Sequence, residues 1–234
     1  MNTARLSRSA VRFVAAGVGF ATAAYGTYIG VTWFRYGYPK HPPSSGEADP
    51  LLDRFMPAYE VAERHAVRVA APADITLSAA CEMDFQQSRI IRVIFKTREF
   101  ILRSEPEEDT ICRGLFAQTK ALGWGMLAEV PGREIVMGAV TRPWAANVVF
   151  RALPPDDFAD FQEPGYVKIV WTLRTDPIGV TESIFRTETR ALTTDSSARA
   201  KFRVYWSFFS PGILLIRRMM LRSLKREAEA RPAR

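Results

Sequence analysis

The sequence has few of the residues from which catalytic and metal sites are usually built. It contains only two histidines, His41 and His65, and two cysteines, Cys81 and Cys112, among 234 residues. It also has no G-x-S-x-G, P-loop or C-x-x-C motif. A zinc site needs several His or Cys ligands, and a serine-hydrolase triad needs a histidine base. These shortages argue against a histidine-based site, and we predict neither a bound metal nor a cofactor.

Acidic residues are absent from residues 1–40, which carry five basic residues. Residues 217–234 carry seven basic residues against two acidic ones, whereas residues 41–216 have a net charge of −3 within a total of +7. A nucleic-acid-binding body would need a basic face that follows the phosphates, so we predict no nucleic-acid partner. The basic ends suit a location next to anionic lipid, or they are simply solvated.

Residues 13–34 form a run of 22 residues without a charge, bracketed by Arg12 and Arg35. At about 1.5 Å per residue, a helix of this length covers the ~30 Å hydrocarbon core of a bilayer. Aromatic residues collect towards its C-terminal end, as they do at membrane–water interfaces. We predict a basic tail at 1–12 and an uncleaved transmembrane signal anchor at 13–34. The alternative is a signal peptide cleaved after Ala21-Thr22-Ala23, although the apolar run continues well beyond that point.

The flanking charges favour one orientation of this helix by a narrow margin. Three arginines precede it, and Arg35 and Lys40 follow it, so the positive-inside rule favours a cytoplasmic N-terminus and an extracytoplasmic body. Within the helix, Gly26 and Gly30 form a G-x-x-x-G pair that suggests a homodimer through this segment. Small residues are common in membrane helices in any case, so the dimer is a hypothesis.

The rest of the chain reads as a proline-rich linker at 35–58 and one α+β domain at 59–230. Periodicity predicts helices at Ala73–Asp84, Ser88–Arg103 and Ser196–Ala230, the last kinked or restarted at Ser210-Pro211. It predicts strands at Glu63–Val69, Trp124–Val130, Glu134–Thr141, Asn147–Leu153, Tyr166–Arg174 and Thr181–Leu192. A curved antiparallel sheet with one long aromatic-rich helix lying across it is the arrangement that this order favours.

The last predicted strand divides polar side chains between its two faces. Phe185, Thr187 and Thr189 fall on one face, and Glu188 and Arg190 fall on the other. If the threonine face borders a cavity, its hydroxyls can orient an apolar ligand. The charged face is expected to pair with Lys168, Thr172 and Arg174 on the neighbouring strand.

The order of elements and several motifs resemble the START-like superfamily, also called SRPBCC, with its helix-grip fold. The likeness covers about residues 60–230 and is to uncharacterised bacterial members that are membrane-anchored. It is carried by Pro131-Gly132-Arg133-Glu134, Trp144, Phe161 with Pro164-Gly165-Tyr166-Val167-Lys168, Thr187-Glu188-Thr189-Arg190, Asp195, Arg199, Phe202, Tyr205-Trp206 and Ile216-Arg217-Arg218.

The resemblance implies a cavity for an apolar molecule, without implying one chemistry. We therefore expect membrane-tethered binding of a lipid, quinone or similar molecule. The predicted ligand-binding residues are Trp124, Trp144, Trp171, Phe185, Thr187, Thr189, Phe202, Tyr205, Trp206 and Phe209, although such aromatic residues are also typical of an ordinary core.

Two other functions stay open at this point. One is a cyclase or hydrolase that uses Glu188 with Arg190 or Glu134. The other is a structural partner in an envelope complex, which would dock through the basic residues of the last helix: Arg217, Arg218, Arg222, Lys225 and Arg226.

Two smaller predictions concern cysteines and acids. Cys81 and Cys112 are expected to be buried thiols, or a disulfide if the body is extracytoplasmic. The acidic cluster of Asp156, Asp157, Asp160 and Glu163 lacks the ligand spacing of a calcium loop, so we predict that it caps a helix.

Overall fold

The computed structural model describes residues 8–38, 43–44, 46–83 and 114–232. Six helices lie in these ranges: α1 (Arg8–Arg35), α2 (Pro50–Asp53), α3 (Ala73–Glu82), α4 (Leu115–Ala121), α5 (Pro155–Asp160) and α6 (Ser196–Ala230). The same ranges hold six strands: β1 (Val61–Val69), β2 (Gly125–Val130), β3 (Glu134–Thr141), β4 (Phe150–Arg151), β5 (Val167–Pro177) and β6 (Ser183–Thr193). The predicted helix at Ser88–Arg103 and the partner cysteine Cys112 lie outside the described residues.

The strands form one antiparallel sheet in the order β1-β6-β5-β3-β2, and β4 pairs with the end of β3. β2 and β3 are joined by the predicted turn at Pro131-Gly132-Arg133. Gly132 adopts a φ of 69° in this turn, a conformation that residues with a Cβ rarely adopt. Five of the predicted strands are therefore confirmed, with ends that move by a few residues.

Side chains of β5 and β6 alternate between two faces, because a strand has a period of two. Ile169, Trp171, Thr187 and Thr189 point to the face on which α6 lies, which we call the helix face. The opposite, outer face carries the side chains of Val136, Val140 and Val170, which pack against Leu52 and Phe55 at α2 and Phe158 of α5. The face assignments made from the sequence for these two strands are confirmed.

One predicted strand is largely wrong. Of residues 147–153, only Phe150 and Arg151 pair with β3, and Val149 is 72% exposed. The β-branched pair before Phe150 suggested a longer strand, but these residues belong to a loop that leaves the sheet after Thr141. The short helices α2 and α4 were not predicted, and α2 lies in the segment that the sequence assigned to the linker.

The long helix α6 runs without a break from Ser196 to Ala230 and includes Pro211. Asp195 caps its start, because the carboxylate accepts hydrogen bonds from the backbone N–H groups of Ser197 (2.7 Å) and Ala198 (2.9 Å). A proline removes one backbone donor and leaves the following turns free to continue. The helix therefore does not restart at Ser210, which is buried inside α6.

The C-terminal part of α1 packs against the N-terminal half of α6. The Tyr25 hydroxyl donates a hydrogen bond to the Phe208 carbonyl (2.5 Å), and Arg203 Nε donates to the Trp33 carbonyl (2.8 Å). The Arg203 guanidinium also lies 4.4 Å from the centre of the Trp33 ring. Residues 11–24 are exposed along their whole length, so α1 extends beyond the domain. Together these elements confirm the predicted class: an α+β helix-grip domain preceded by one apolar helix.

Candidate ligand cavity

Helix α6 is fixed to the sheet at its two ends and leaves a gap between them. Near its start, Phe202 is buried with Tyr36, Val61, Val167 and Ala191. Near its end, the buried side chains are Leu224 and Ala228, which pack with parts of α3, β1, β5 and β6. Between these two clusters, large side chains of α6 face the sheet without filling the space. The result is a cavity of about 560 Å³, within the usual range for a small-molecule site.

The cavity wall is mostly apolar and aromatic. The helix face of the sheet contributes Ile169, Trp171, Leu173, Phe185 and Ala191, and α6 contributes Phe209, Ile213, Ile216 and Met220. The far side is formed by α4 and by the loop at 143–148. There the Trp124 ring stacks on Phe150 at 4.9 Å between centroids and meets Trp171 edge-on at 6.2 Å.

A group of polar side chains interrupts this wall where β1 and β6 pair. Glu63 of β1 lies directly opposite Thr189 of β6 in the strand register, and both border the cavity. Arg217 of α6 borders it too, and its Nη2 donates a hydrogen bond to Thr189 Oγ1. Burial lowers the pKa of Arg217 to about 10, and the nearby Glu63 carboxylate partly opposes this effect.

The structure brings together all but one of the residues predicted to bind a ligand. The residues that line the cavity are Trp124, Trp171, Phe185, Thr187, Thr189, Phe202, Tyr205, Trp206 and Phe209. Trp144 does not line it and packs instead against the cluster around Tyr36 and Phe202. The loop after β3 turns this indole away from the gap, whereas Pro143 and Asn147 of the same loop reach the cavity.

The weak catalytic candidates Glu188 and Arg190 lie on the outer face, away from the cavity. Arg190 is 1% exposed, and its guanidinium contacts Glu188 Oε1 (2.7 Å), Asp53 Oδ1 (2.5 Å) and the Met56 carbonyl (2.7 Å). Arg64 completes the ion pairs of Glu188 at 2.7 Å. This network fastens α2 to the sheet and gives these residues a structural explanation.

The cross-strand pairing predicted for the charged face is found only in part: the Glu188 backbone N–H donates to Thr172 Oγ1 at 3.2 Å, whereas Lys168 and Arg174 have other partners. Arg174 and Arg186 both pair with Asp176 at the end of β5, at 3.0 and 2.9 Å. The Lys168 ammonium donates to the Ala159 carbonyl at 2.5 Å, which ties the sheet to α5. Arg174 and Asp176 are two positions apart on one strand and therefore share a face, and Arg186 of β6 lies diagonally across from Asp176.

The third candidate, Glu134, also lies on the outer face, opposite Arg174 in the β3–β5 register. It is 6% exposed, and its Oε1 is buried without a hydrogen-bond partner among the described residues. Burial, followed by a hydrogen bond to Asp49, raises the pKa of Glu134 to about 8. This carboxyl group is therefore mostly protonated at neutral pH and is remote from the cavity.

The raised pKa of Glu134 predicts a pH-dependent stability. The folded state binds this proton more tightly than the unfolded state does. The contribution of the protonated Glu134 carboxyl to the free energy of unfolding is therefore complete at acidic pH and is lost as pH rises through about 8. A Glu134→Gln variant stays neutral, so we expect it to exceed the wild type in free energy of unfolding at alkaline pH by at least ~1.4 kcal/mol. At acidic pH the two proteins should be nearly equal.

Urea unfolding across a pH series measures this difference. Glu182→Gln is the matched control, because Glu182 pairs with Arg68 at an exposed position. A difference between Glu134→Gln and the wild type that does not change with pH would contradict the assignment.

The basic residues of α6 do not form a single surface as the sequence suggested. Arg217 turns into the cavity, and Lys225 pairs with Glu229 at 3.6 Å. Arg218, Arg222 and Arg226 are exposed and follow one another at spacings of four residues, so they share one side of the helix.

Sequence reasoning predicted Thr189 at the cavity but missed Glu63 and Arg217. Arg217 stood out only as a basic residue near the C-terminus and as part of the Ile216-Arg217-Arg218 motif. The position of Arg217 in the sequence could have indicated this role. Arg217 follows Ile213 by four positions and precedes Met220 by three, and this spacing places it on the apolar side of α6. Glu63 carried a similar signal, since it alternates with the apolar residues Val61 and Val67 along β1.

No family model matches the chain, and no curated protein matches it. Several solved structures are similar at low identity. A protein from Chromobacterium violaceum is 12% identical over 73% of this chain and 99% of its own, with a TM-score of 0.34. Norcoclaurine synthase from Thalictrum flavum, solved with dopamine and hydroxybenzaldehyde, is 12% identical over 74% of this chain and 88% of its own, with a TM-score of 0.34.

A third similar structure is the di-domain aromatase/cyclase BexL, which is 16% identical over 72% of this chain with a TM-score of 0.31. This chain spans about half of BexL, at 46% of its length. TM-scores this low carry no argument about function. The class of protein therefore rests on the chain itself: a helix-grip domain, defined by its antiparallel sheet, its long C-terminal helix and the cavity between them.

Proposed function

We propose that this protein is a membrane-tethered binding protein that holds a hydrophobic small molecule, such as a lipid or an isoprenoid quinone, in its helix-grip cavity. The observation that carries the proposal is the cavity of about 560 Å³ with its mostly apolar wall. An apolar cavity of this size favours an apolar occupant, because binding removes the apolar surfaces of both the cavity wall and the ligand from water. A few polar groups at one place then orient the occupant.

Helix α1 supports the tether. Its segment Val11–Arg35 is long and apolar enough to cross a membrane. Tyr25 and Trp33, in the C-terminal half of this segment, contact α6, so this part of α6 would lie at the bilayer together with the tether. The charge pattern of the sequence favours an extracytoplasmic domain. Gly26 and Gly30 border open space, and the homodimer through them stays a prediction.

The outward side of α6 supports the same location. Val204, Phe208 and Leu215 are exposed large apolar residues at helical spacing. The exposed arginines Arg218, Arg222 and Arg226 continue this line towards the C-terminus. An apolar segment beside the anchor followed by a basic segment suits a helix that rests on an anionic membrane surface. The cavity, on the other side of α6, would then lie next to a source of apolar ligands.

The two alternative functions have less support. The cyclase or hydrolase alternative relied on Glu188, Arg190 and Glu134, whose side chains point away from the cavity. The envelope-complex alternative relied on a continuous basic surface on α6. Arg217 is not part of such a surface, because its side chain faces the cavity.

Removal of residues 1–24 tests the tether and the binding function separately. Residues 11–24 of α1 are exposed along their whole length, whereas the part that packs on α6 begins at Tyr25. We expect the truncated chain to keep its unfolding temperature but to leave carbonate-washed membranes, in which the intact chain remains. Lipid extraction of both purified chains should yield the same apolar molecule.

The two possible failures have different meanings. If the truncated chain remains in washed membranes, α1 is not the tether. If both chains are folded and consistently empty, the cavity does not bind a ligand as proposed.

A further inference from the structure

We propose that Glu63, Thr189 and Arg217 form a head-group site inside the cavity, which selects a neutral ligand with a carbonyl oxygen over a fatty carboxylate. The inference rests on the proposed binding function and adds the chemical class of the ligand. Ketones, esters and quinones have such an oxygen together with an apolar body.

The three residues come together because two strands and one helix place them at the same point. Glu63 and Thr189 are directly opposite each other in the β1–β6 register, on the helix face of the sheet. Arg217 reaches down from α6 and donates a hydrogen bond from Nη2 to Thr189 Oγ1. All three side chains border the cavity, and Thr187 adds a second hydroxyl beside them.

Glu63 and Arg217 carry opposite charges and are the two charged side chains among the described residues that border the cavity. A partly buried guanidinium without a counter-charge is costly, and the Glu63 carboxylate interacts electrostatically with Arg217. His65, the next residue on this side of β1, adds no charge at neutral pH. Burial, with further effects of Arg217 and Arg218, lowers the pKa of His65 to about 4. Among the described residues, the site therefore offers donors without a net positive charge.

This balance decides which ligand oxygen fits. A guanidinium has five N–H donors, and the bond to Thr189 uses one of them. A carbonyl oxygen accepts such a hydrogen bond and brings no charge. A ligand carboxylate would bring a second negative charge beside Glu63 in a poorly solvated space, where like charges repel strongly. The apolar body of the ligand would extend along Trp171 and Phe209.

Matched ligands test the selectivity on the full-length chain in detergent. The probes are a long-chain methyl ketone, the carboxylate and the alkane of the same chain length, each competing with a fluorescent apolar probe at mildly alkaline pH. We expect the wild type to bind the ketone at least ~10-fold more tightly than the carboxylate, a difference of about 1.4 kcal/mol.

Three variants assign this preference to residues. Glu63→Gln should improve carboxylate binding at least ~10-fold, because Arg217 then lacks its counter-charge. Arg217→Met should remove the preference for the ketone over the alkane, because the N–H donor for the carbonyl oxygen is then absent. Arg218→Met is the matched control, because Arg218 is the exposed neighbour of Arg217 and should leave all three affinities unchanged.

Contrary results separate this site from the binding function. If the wild type binds the alkane but shows no ketone preference, or Glu63→Gln leaves carboxylate binding unchanged, the head-group site is wrong and the binding function stands. If none of the probes binds to a folded wild-type chain, both proposals are wrong.

Discussion

Replacement of Arg190 by leucine is expected to lower the free energy of unfolding by about 3–5 kcal/mol, because it breaks a buried ion-pair network and leaves charge behind. Arg190 is 1% exposed and binds Glu188, Asp53 and the Met56 carbonyl. Its guanidinium also lies 4.7 Å from the centre of the Tyr59 ring. Without it, Glu188 is left with Arg64 as its ion-pair partner among the described residues.

Urea unfolding of the detergent-solubilised chain, followed by circular dichroism, measures this loss. The matched control is Arg68→Leu, because the Arg68–Glu182 pair is exposed and such pairs contribute about 0–1 kcal/mol. If Arg190→Leu does not fold, the double variant Arg190→Leu/Glu188→Leu provides the test, since removal of both charges should restore much of the stability. A loss below ~1 kcal/mol in the single variant would contradict a structural role for the network.

Replacement of Thr187 by phenylalanine is expected to reduce binding of the apolar ligand at least ~10-fold, which is about 1.4 kcal/mol. Thr187 borders the cavity, so the added ring would occupy space that the ligand needs. The ring would enter a gap rather than a filled core, so the cost of overpacking, usually ~1–3 kcal/mol, should be small here.

Ile184→Phe is the matched control for this variant. Ile184 lies on β6 three positions away, which places it on the outer face, and it pairs with Arg68 and Asp176 in the register. We expect it to leave ligand binding unchanged. Equal binding by Thr187→Phe and the wild type, measured by competition with a fluorescent apolar probe, would place the ligand outside the cavity.

The sheet was predictable because its side chains repeat with a period of two. Val167, Ile169, Trp171 and Leu173 alternate with Lys168, Val170, Thr172 and Arg174 along β5, and the three polar residues of the second set indicate which residues share a face. The same period of two places Thr187 on the opposite face of β6 from its charged neighbours. The long helix was also predictable, since its apolar residues recur at helical spacing over many turns.

The errors occur where tertiary contacts override local pattern. The loop after Thr141 contains β-branched residues that read as a strand, yet only Phe150 and Arg151 find a partner in the sheet. Trp144 has the same apolar character as Trp124 and Trp171, and only the path of that loop decides that it faces a different cluster. Composition alone cannot supply that path.

The polar site shows the same limit for charged residues. Arg217 and Arg218 are neighbours of the same type, but one faces the cavity and the other is exposed. The difference depends on the rotation of α6 relative to the sheet, which the clusters around Phe202 and Leu224 set. The sequence shows which residues share a side of the helix. Which of these side chains reach the sheet is known only from the packed structure.

Native mass spectrometry of the full-length chain, purified in detergent and released gently from it, tests the binding function most directly. We expect a folded chain that carries one apolar molecule per protein, which lipid extraction then recovers and which Thr187→Phe loses. A folded wild-type chain that is empty in repeated preparations, or a bound molecule that Thr187→Phe retains in full, would contradict it.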